Sequence, residues 1–212
     1  MGISEVEWRQ RIADRGRSLF ERRYTSGSSG NISVRLDDGM LITPTNSSLG
    51  SLKPGDISKV SFEGEHLSGK PPSKEAFLHL SMYRKRPQEQ SVVHLHSTWS
   101  VAVSCLANID PANVLPAITA YYVMRVGRLP LVDYFPPGDK TLAAAVEAKA
   151  DAAHSLLLAN HGPIVAGKNL DAAVNAIEEL EETARLFMIL KDEKTRFLDE
   201  GQQEQLAQLF PS

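Results

Sequence analysis

Apolar residues recur at helical spacing near the start of the chain and then give way to alternation. Trp8, Ile12, Leu19 and Phe20 fall on one face of a 3.6-residue repeat, and Ser4 with Glu7 makes a capping box. This predicts an amphipathic helix over 4–24, stopped by "TSGSSGN". "ISVRL" and "MLITP" read as short strands joined at Asp37-Asp38-Gly39, and "ISKVSF" as another, closed by a turn at Gly64. Pro71-Pro72 end an extended piece, and Ser73 is placed to cap a helix running to about Arg86. "SVVHLH" reads as a strand and "TWSVAVSCLA" as a helix. Residues 111–137 are irregular and rich in Pro and Tyr, with a strand at "LPLVDY". "DKTLAAAVEAKADAA" is helical, and "SLLLAN" and "PIVAG" are buried strands. A last long helix starts near Asn169 and keeps Ala173, Val174, Ile177, Leu180, Ala184 and Phe187 on one face. Interleaved strands and helices with an early hairpin predict a layered α/β domain with a mixed sheet.

Composition narrows the function classes. The chain has 212 residues, 42% hydrophobic and 23% charged, which suits one domain over 1–212. A formal net charge of −3 offers no basic excess for nucleic acid, so any anion must be met by a local site. Cys105 is the sole cysteine, which excludes an internal disulfide, and it is expected to be buried and inert. No apolar run approaches the ~20 residues that cross a bilayer. A soluble cytoplasmic protein without nucleic-acid or membrane partners is the expectation.

Certain polar residues stand out against this background. On a strand, His94 and His96 point the same way, a spacing that suits a divalent metal. His161 follows the apolar run "SLLLAN" beside Gly162, where sites of α/β proteins gather. Glu75 is expected in the first turn of a helix, where its carboxylate meets the helix dipole. "SGSSGN" and "TPTNSS" are small, hydroxyl-rich loops able to turn backbone N–H groups toward an anion. Trp99 is expected to anchor the core, and His79 to pack or face solvent. His66 and His154 have no evident partner.

In order, the chain spells Gly-Asn-x-Ser (from Gly30), Thr-Pro-Thr (from Thr43), Pro-Ser-x-Glu (from Pro72), His-x-His (from His94) and His-Gly (from His161). This set resembles the class II aldolase/adducin family, of the fuculose-phosphate aldolase type, from about residue 5 to 200. The resemblance implies a three-layer α/β/α sandwich with a mixed, largely antiparallel central sheet. It implies Zn2+ held by His94, His96 and His161, with Glu75 as the acid/base that also approaches the metal. It implies a phosphate site at Gly30, Asn31, Thr45, Asn46, Ser73 and Lys74, and a homotetramer with interfacial sites. Tyr121 or Tyr122 would be the tyrosine that one subunit lends to another, and Arg125 or Arg128 would reach a substrate carboxylate across an interface. Asn46 stands where the aldolases usually have Gly, and Lys74 where they usually have Ser.

Within the family, Glu75 argues against the epimerases, which usually have Asp there, and the three histidines argue against the metal-free adducin type. "LSGKPPSKE", "VVHLHSTWS", "YYVMRVGRLPLV" and "LLANHGP…EELEETARL" look like a sugar-acid catabolic branch, the 3-oxo-tetronate 4-phosphate decarboxylases. That likeness implies loss of CO2 from a β-keto acid, a zinc-stabilised enediolate, and protonation at C2 to dihydroxyacetone phosphate. A sugar-phosphate aldolase is the alternative, and a non-catalytic zinc module the minor one.

Overall fold

A computed structural model of the chain describes residues 2–136 and 139–210. The capping box forms as read, with Ser4 Oγ accepting from Glu7 N–H, and it opens helix α1 (Glu5–Glu21). Strands β1 (Asn31–Leu36) and β2 (Gly39–Ile42) make the expected hairpin. β3 (Ser58–Val60) and β4 (His66–Ser68) extend it, followed by α2 (Ala76–Lys85). Next come β5 (Ser91–His94), α3 (Thr98–Ser104), α4 (Ala120–Arg125), β6 (Leu131–Val132) and α5 (Thr141–Ala150). β7 (Ser155–Leu158), β8 (Gly162–Gly167), α6 (Leu170–Leu190) and α7 (Glu200–Leu209) complete the chain.

The strands form one sheet in the order β4-β3-β2-β1-β5-β8-β7-β6. Every pairing is antiparallel except β6 with β7. Strand alternation sorts the core into two layers. Ile32, Val34, Val93, Leu95 and Val165 pack with Ile12, Leu19, Ile177 and Leu180 of α1 and α6. Val92, Ile164 and Ala166 pack on the opposite face with Leu78, Met82, Leu142 and Val146 of α2 and α5. The architecture is therefore the expected α/β/α sandwich with a mixed, largely antiparallel sheet.

Several local expectations are corrected. Ser73 does not cap α2: its Oγ accepts from Glu75 N–H at 3.2 Å and its carbonyl from Ala76 N–H, so the helix starts at Ala76 and Glu75 is its N-cap. The ladder of β5 ends at His94, leaving His96 just beyond it. The irregular stretch 111–137, whose last residue lies outside the described residues, contains α4, capped by Thr119 Oγ1 accepting from Tyr122 N–H. β4 and α7 lack a periodic apolar signal: β4 is exposed throughout and no residue of α7 is buried. Trp99 and Cys105 are exposed, because α3 is short and buries Ser100, Val103 and Ser104 instead, and Phe20 near the end of α1 is exposed as well.

Candidate metal centre

The site sits where β5 ends between β1 and β8, on the α2 face of the sheet. Register places Asn31 of β1 directly across from His94, and Ile164 of β8 across on its other side. His94 is fully buried, and its Nδ1 donates to the Pro163 carbonyl at 2.8 Å, which turns the Nε2 lone pair to the strand end. His161 comes from the tight β7–β8 turn, where Asn160 has φ of 54° and Gly162 has φ of 150°. A Cβ at Gly162 would lie 2.3 Å from the Leu95 carbonyl, so only glycine lets this turn approach the segment from His94 to His96 at the end of β5. His96 is held from the following residues. Ser97 Oγ donates to the Tyr24 carbonyl at 2.7 Å. The buried Glu181 carboxylate accepts from Trp99 N–H at 2.9 Å, Ser100 N–H at 2.8 Å and Ser100 Oγ at 2.6 Å, fixing the start of α3.

Three imidazoles converge as a result. Nε2 of His94 lies 3.1 Å from that of His96 and 3.3 Å from that of His161, and the last two are 3.1 Å apart. Glu75 Oε1 is 3.0 Å from His161 Nε2, and Oε2 is 3.6 Å from His94 Nε2. All four ligand atoms lie within 4.8 Å of one another. The edge of a tetrahedron with metal–nitrogen arms of 2.0–2.1 Å is about 3.3 Å, so the nitrogen triangle has the dimensions of a divalent-metal site. Neutral imidazoles and a carboxylate suit zinc and its neighbours in the first transition row alike.

The charges of the four groups are tightly coupled. Burial alone would raise the Glu75 carboxyl, but the His94 charge and hydrogen bonds from His161, His94 and Asn31 overcome it, holding the group ionised far below the usual range. Burial, then the His94 and His161 charges, lower His96 to about 4, leaving it neutral and able to ligate. Burial also pulls on His94, yet the Glu75 charge and hydrogen bond and the Pro163 carbonyl raise it on balance.

Two clefts meet at Glu75 and His96. One, of about 260 Å3, is polar and lined by Ser28, Ser29, Gly30, Asn31, Thr45, Asn46, Ser73 and Lys74. All six expected phosphate residues therefore gather in one place. Asn46 has φ of 54°, a left-handed conformation that Gly or Asn tolerates best, which accounts for Asn where the aldolases usually have Gly. The other cleft, of about 570 Å3, adds Thr98, Val101, Tyr134, Phe135, Asn160 and His161. Of these, His161 was expected at the site, whereas Thr98, Val101, Tyr134, Phe135 and Asn160 escaped the sequence reading, although the aromatic pair Tyr134-Phe135 after a strand was a usable signal.

Other candidates fall outside. Tyr121 is exposed on α4 beneath the Arg125 guanidinium and lines neither cleft. Tyr122 is buried with its hydroxyl on the Leu115 carbonyl at 3.4 Å, so it cannot reach a neighbouring chain. Arg125 faces Glu179 at 3.9 Å and Arg128 donates to the Ala112 carbonyl, and neither lines the clefts. His66 meets the Ser68 carbonyl and His154 the Ala166 carbonyl, away from the cluster.

The chain is similar to known proteins along most of its length. The pattern described as Class II Aldolase and Adducin N-terminal domain matches residues 10–188. The 3-oxo-tetronate 4-phosphate decarboxylase of Escherichia coli K12 is 49% identical over 93% of this chain and 94% of its own. The L-fuculose phosphate aldolase of Methanococcus maripaludis C5 is 36% identical over 82% of this chain and 92% of its own. The crystal structure of YgbL from Escherichia coli superposes with a TM-score of 0.93 at 47% identity, covering 95% of this chain and 98% of that one.

Proposed function

The chain belongs to the class II aldolase and adducin family, and from that premise we propose that it decarboxylates a 3-oxo-tetronate 4-phosphate to dihydroxyacetone phosphate and CO2. One observation carries the reading: an ionised carboxylate, Glu75, stands between a three-histidine cluster and a cleft lined by all six residues expected to meet a phosphate. The relative of that name at 49% identity selects the substrate class. His94, His96, His161 and, without substrate, Glu75 would hold a divalent metal, taken here as Zn2+. When bound, the metal supplies Lewis acidity to the ketone that accepts the electrons left by departing CO2.

The chain's own groups do the rest. Gly30, Asn31, Thr45, Asn46 and Ser73 grip the phosphate through hydroxyl and amide groups, and the Lys74 ammonium adds charge at the cleft rim. Fixing the phosphate sets C2 and C3 beside Glu75. The C1–C2 bond breaks, its electron pair stays on C2 and C3, and one solvent proton relayed by Glu75 ends on C2. Atoms and charge then balance for a β-keto acid.

The same reading takes residues 1–212 as one domain working in the cytoplasm as a homotetramer. Tyr121, exposed on α4, is the side chain it offers to a neighbouring subunit's site. No helix among the described residues is long and apolar enough to cross a membrane. The test is an assay with metal-quantified protein and 3-oxo-tetronate 4-phosphate. Equal release of CO2 and dihydroxyacetone phosphate, lost with a chelator and restored by zinc, is expected. Cleavage of fuculose 1-phosphate without CO2 from the tetronate would return the protein to the aldolases. Bound metal with turnover of neither would mark a zinc module.

A further inference from the structure

Beneath the cluster lies a row of polar groups whose hydrogen bonds run in one direction from Glu75 through Asn31 and His79 to Ser33. Glu75 Oε2 accepts from Asn31 Nδ2 at 2.7 Å. A carboxylate only accepts, so the Asn31 amide turns its NH2 to Glu75 and its carbonyl inward. The same NH2 lies 3.2 Å from Ser73 Oγ. The inward carbonyl Oδ1 meets His79 Nε2. A carbonyl also only accepts, so Nε2 carries the ring proton. His79 is fully buried, and burial followed by the His94 charge outweighs Glu75 and lowers it to about 3. Its neutral Nδ1 must therefore accept from Ser33 Oγ, 2.7 Å away. Ser33 Oγ lies 2.8 Å from the Tyr83 hydroxyl, which also reaches the Gln90 carbonyl at 3.4 Å. Tyr83 is 2% exposed, so the row ends inside the protein and cannot pass protons to solvent. It is a brace.

We infer that His79 is a positioning residue for the proposed reaction: it locks the Asn31 amide so that the NH2 group aims Glu75, and it affects turnover only through Asn31. The inference rests on the reading of Glu75 as the acid/base. Its geometry is local to this row. Without the His79 donor, Asn31 Oδ1 would be buried and unpaired, and the amide would be free to turn its oxygen toward Glu75, repelling the carboxylate it now holds.

The test is a double-variant cycle on the full chain. His79→Leu should lower kcat about 10- to 100-fold with KM and metal content unchanged. His79→Gln, whose amide N–H replaces the Nε2 donor, should recover most of that loss. Asn31→Ala should lower kcat and raise KM, because Asn31 also lines the phosphate cleft. In the Asn31→Ala background, His79→Leu should cost no further kcat. Losses that multiply would overturn the inference, and so would failure of His79→Gln to recover. A second readout needs no substrate: nitrogen-15 NMR of the wild type should show His79 as the neutral Nε2–H tautomer from about pH 5 to 8. An Nδ1–H tautomer would overturn the brace whatever the enzyme turns over. If the wild type cleaves a ketose phosphate instead of the tetronate, the decarboxylase reading fails and the cycle is run on that substrate.

Discussion

The two faces of the β1–β5 strand pair are built by opposite rules. Toward α1 and α6 the pair presents Ile32, Val34 and Val93, which pack against Ile12, Leu19 and Ile177. Toward α2 it presents Asn31, Ser33 and His94, which meet His79, Tyr83 and Glu75. Both faces are buried. The first is held by area, at ~1.5–3 kcal/mol for each large apolar side chain removed from water. The second is held by pairing, where each hydrogen bond contributes only ~1 kcal/mol net but an orphaned partner costs ~1–3 kcal/mol. An apolar face tolerates any filling of the right volume. A polar face tolerates one arrangement, and that intolerance sets the direction of a carboxylate.

The contrast is sharpened first on the apolar side. Ile177 is fully buried between α6 and the sheet. Ile177→Ala should cost about 2–5 kcal/mol in chemical denaturation, the largest stability effect expected, while kcat and metal content of the folded fraction stay at wild-type values. A fall in kcat matching the loss of stability would mean the two faces are not separable.

Acid should act on the polar side. His79 is lowered from 6.5 to about 3 and His96 from 6.5 to about 4, both first by burial. Between those values and 6.5 the unfolded chain binds protons that the folded chain refuses. Stability therefore rises with pH across this window and is lost as pH falls through it. Denaturation midpoints measured from pH 7 downward should decline, and His79→Gln, with no titrating ring, should decline less steeply. A wild-type midpoint that is flat over the window would contradict the neutral, buried His79.

The same contrast explains what the sequence made legible. Period-2 and period-3.6 patterns located most of the elements of the apolar layers, because burial leaves a regular trace. The three histidines of the cluster were legible too, since His94 and His96 interrupt the run "SVVHLH" and His161 follows the apolar run "SLLLAN". The brace was not, because its members are far apart: Asn31 and His79 are 48 positions from each other, and Ser33 and Tyr83 are 50. His79 was expected only to pack or face solvent, whereas it is linked to Glu75 through Asn31. The start of α2 was misplaced because Ser73 spends its hydroxyl on Glu75 N–H, a turn that keeps the carboxylate out of the helix and over the histidines. α4 was missed because six residues among prolines carry too little periodicity.

In the proposed reaction Glu75 moves the proton while the histidines hold the metal. The most direct measurement is metal content and turnover of Glu75→Gln, side by side with wild type. Unchanged metal per chain with kcat lowered about 10²- to 10⁴-fold is the expected result. Full turnover by the variant would contradict it.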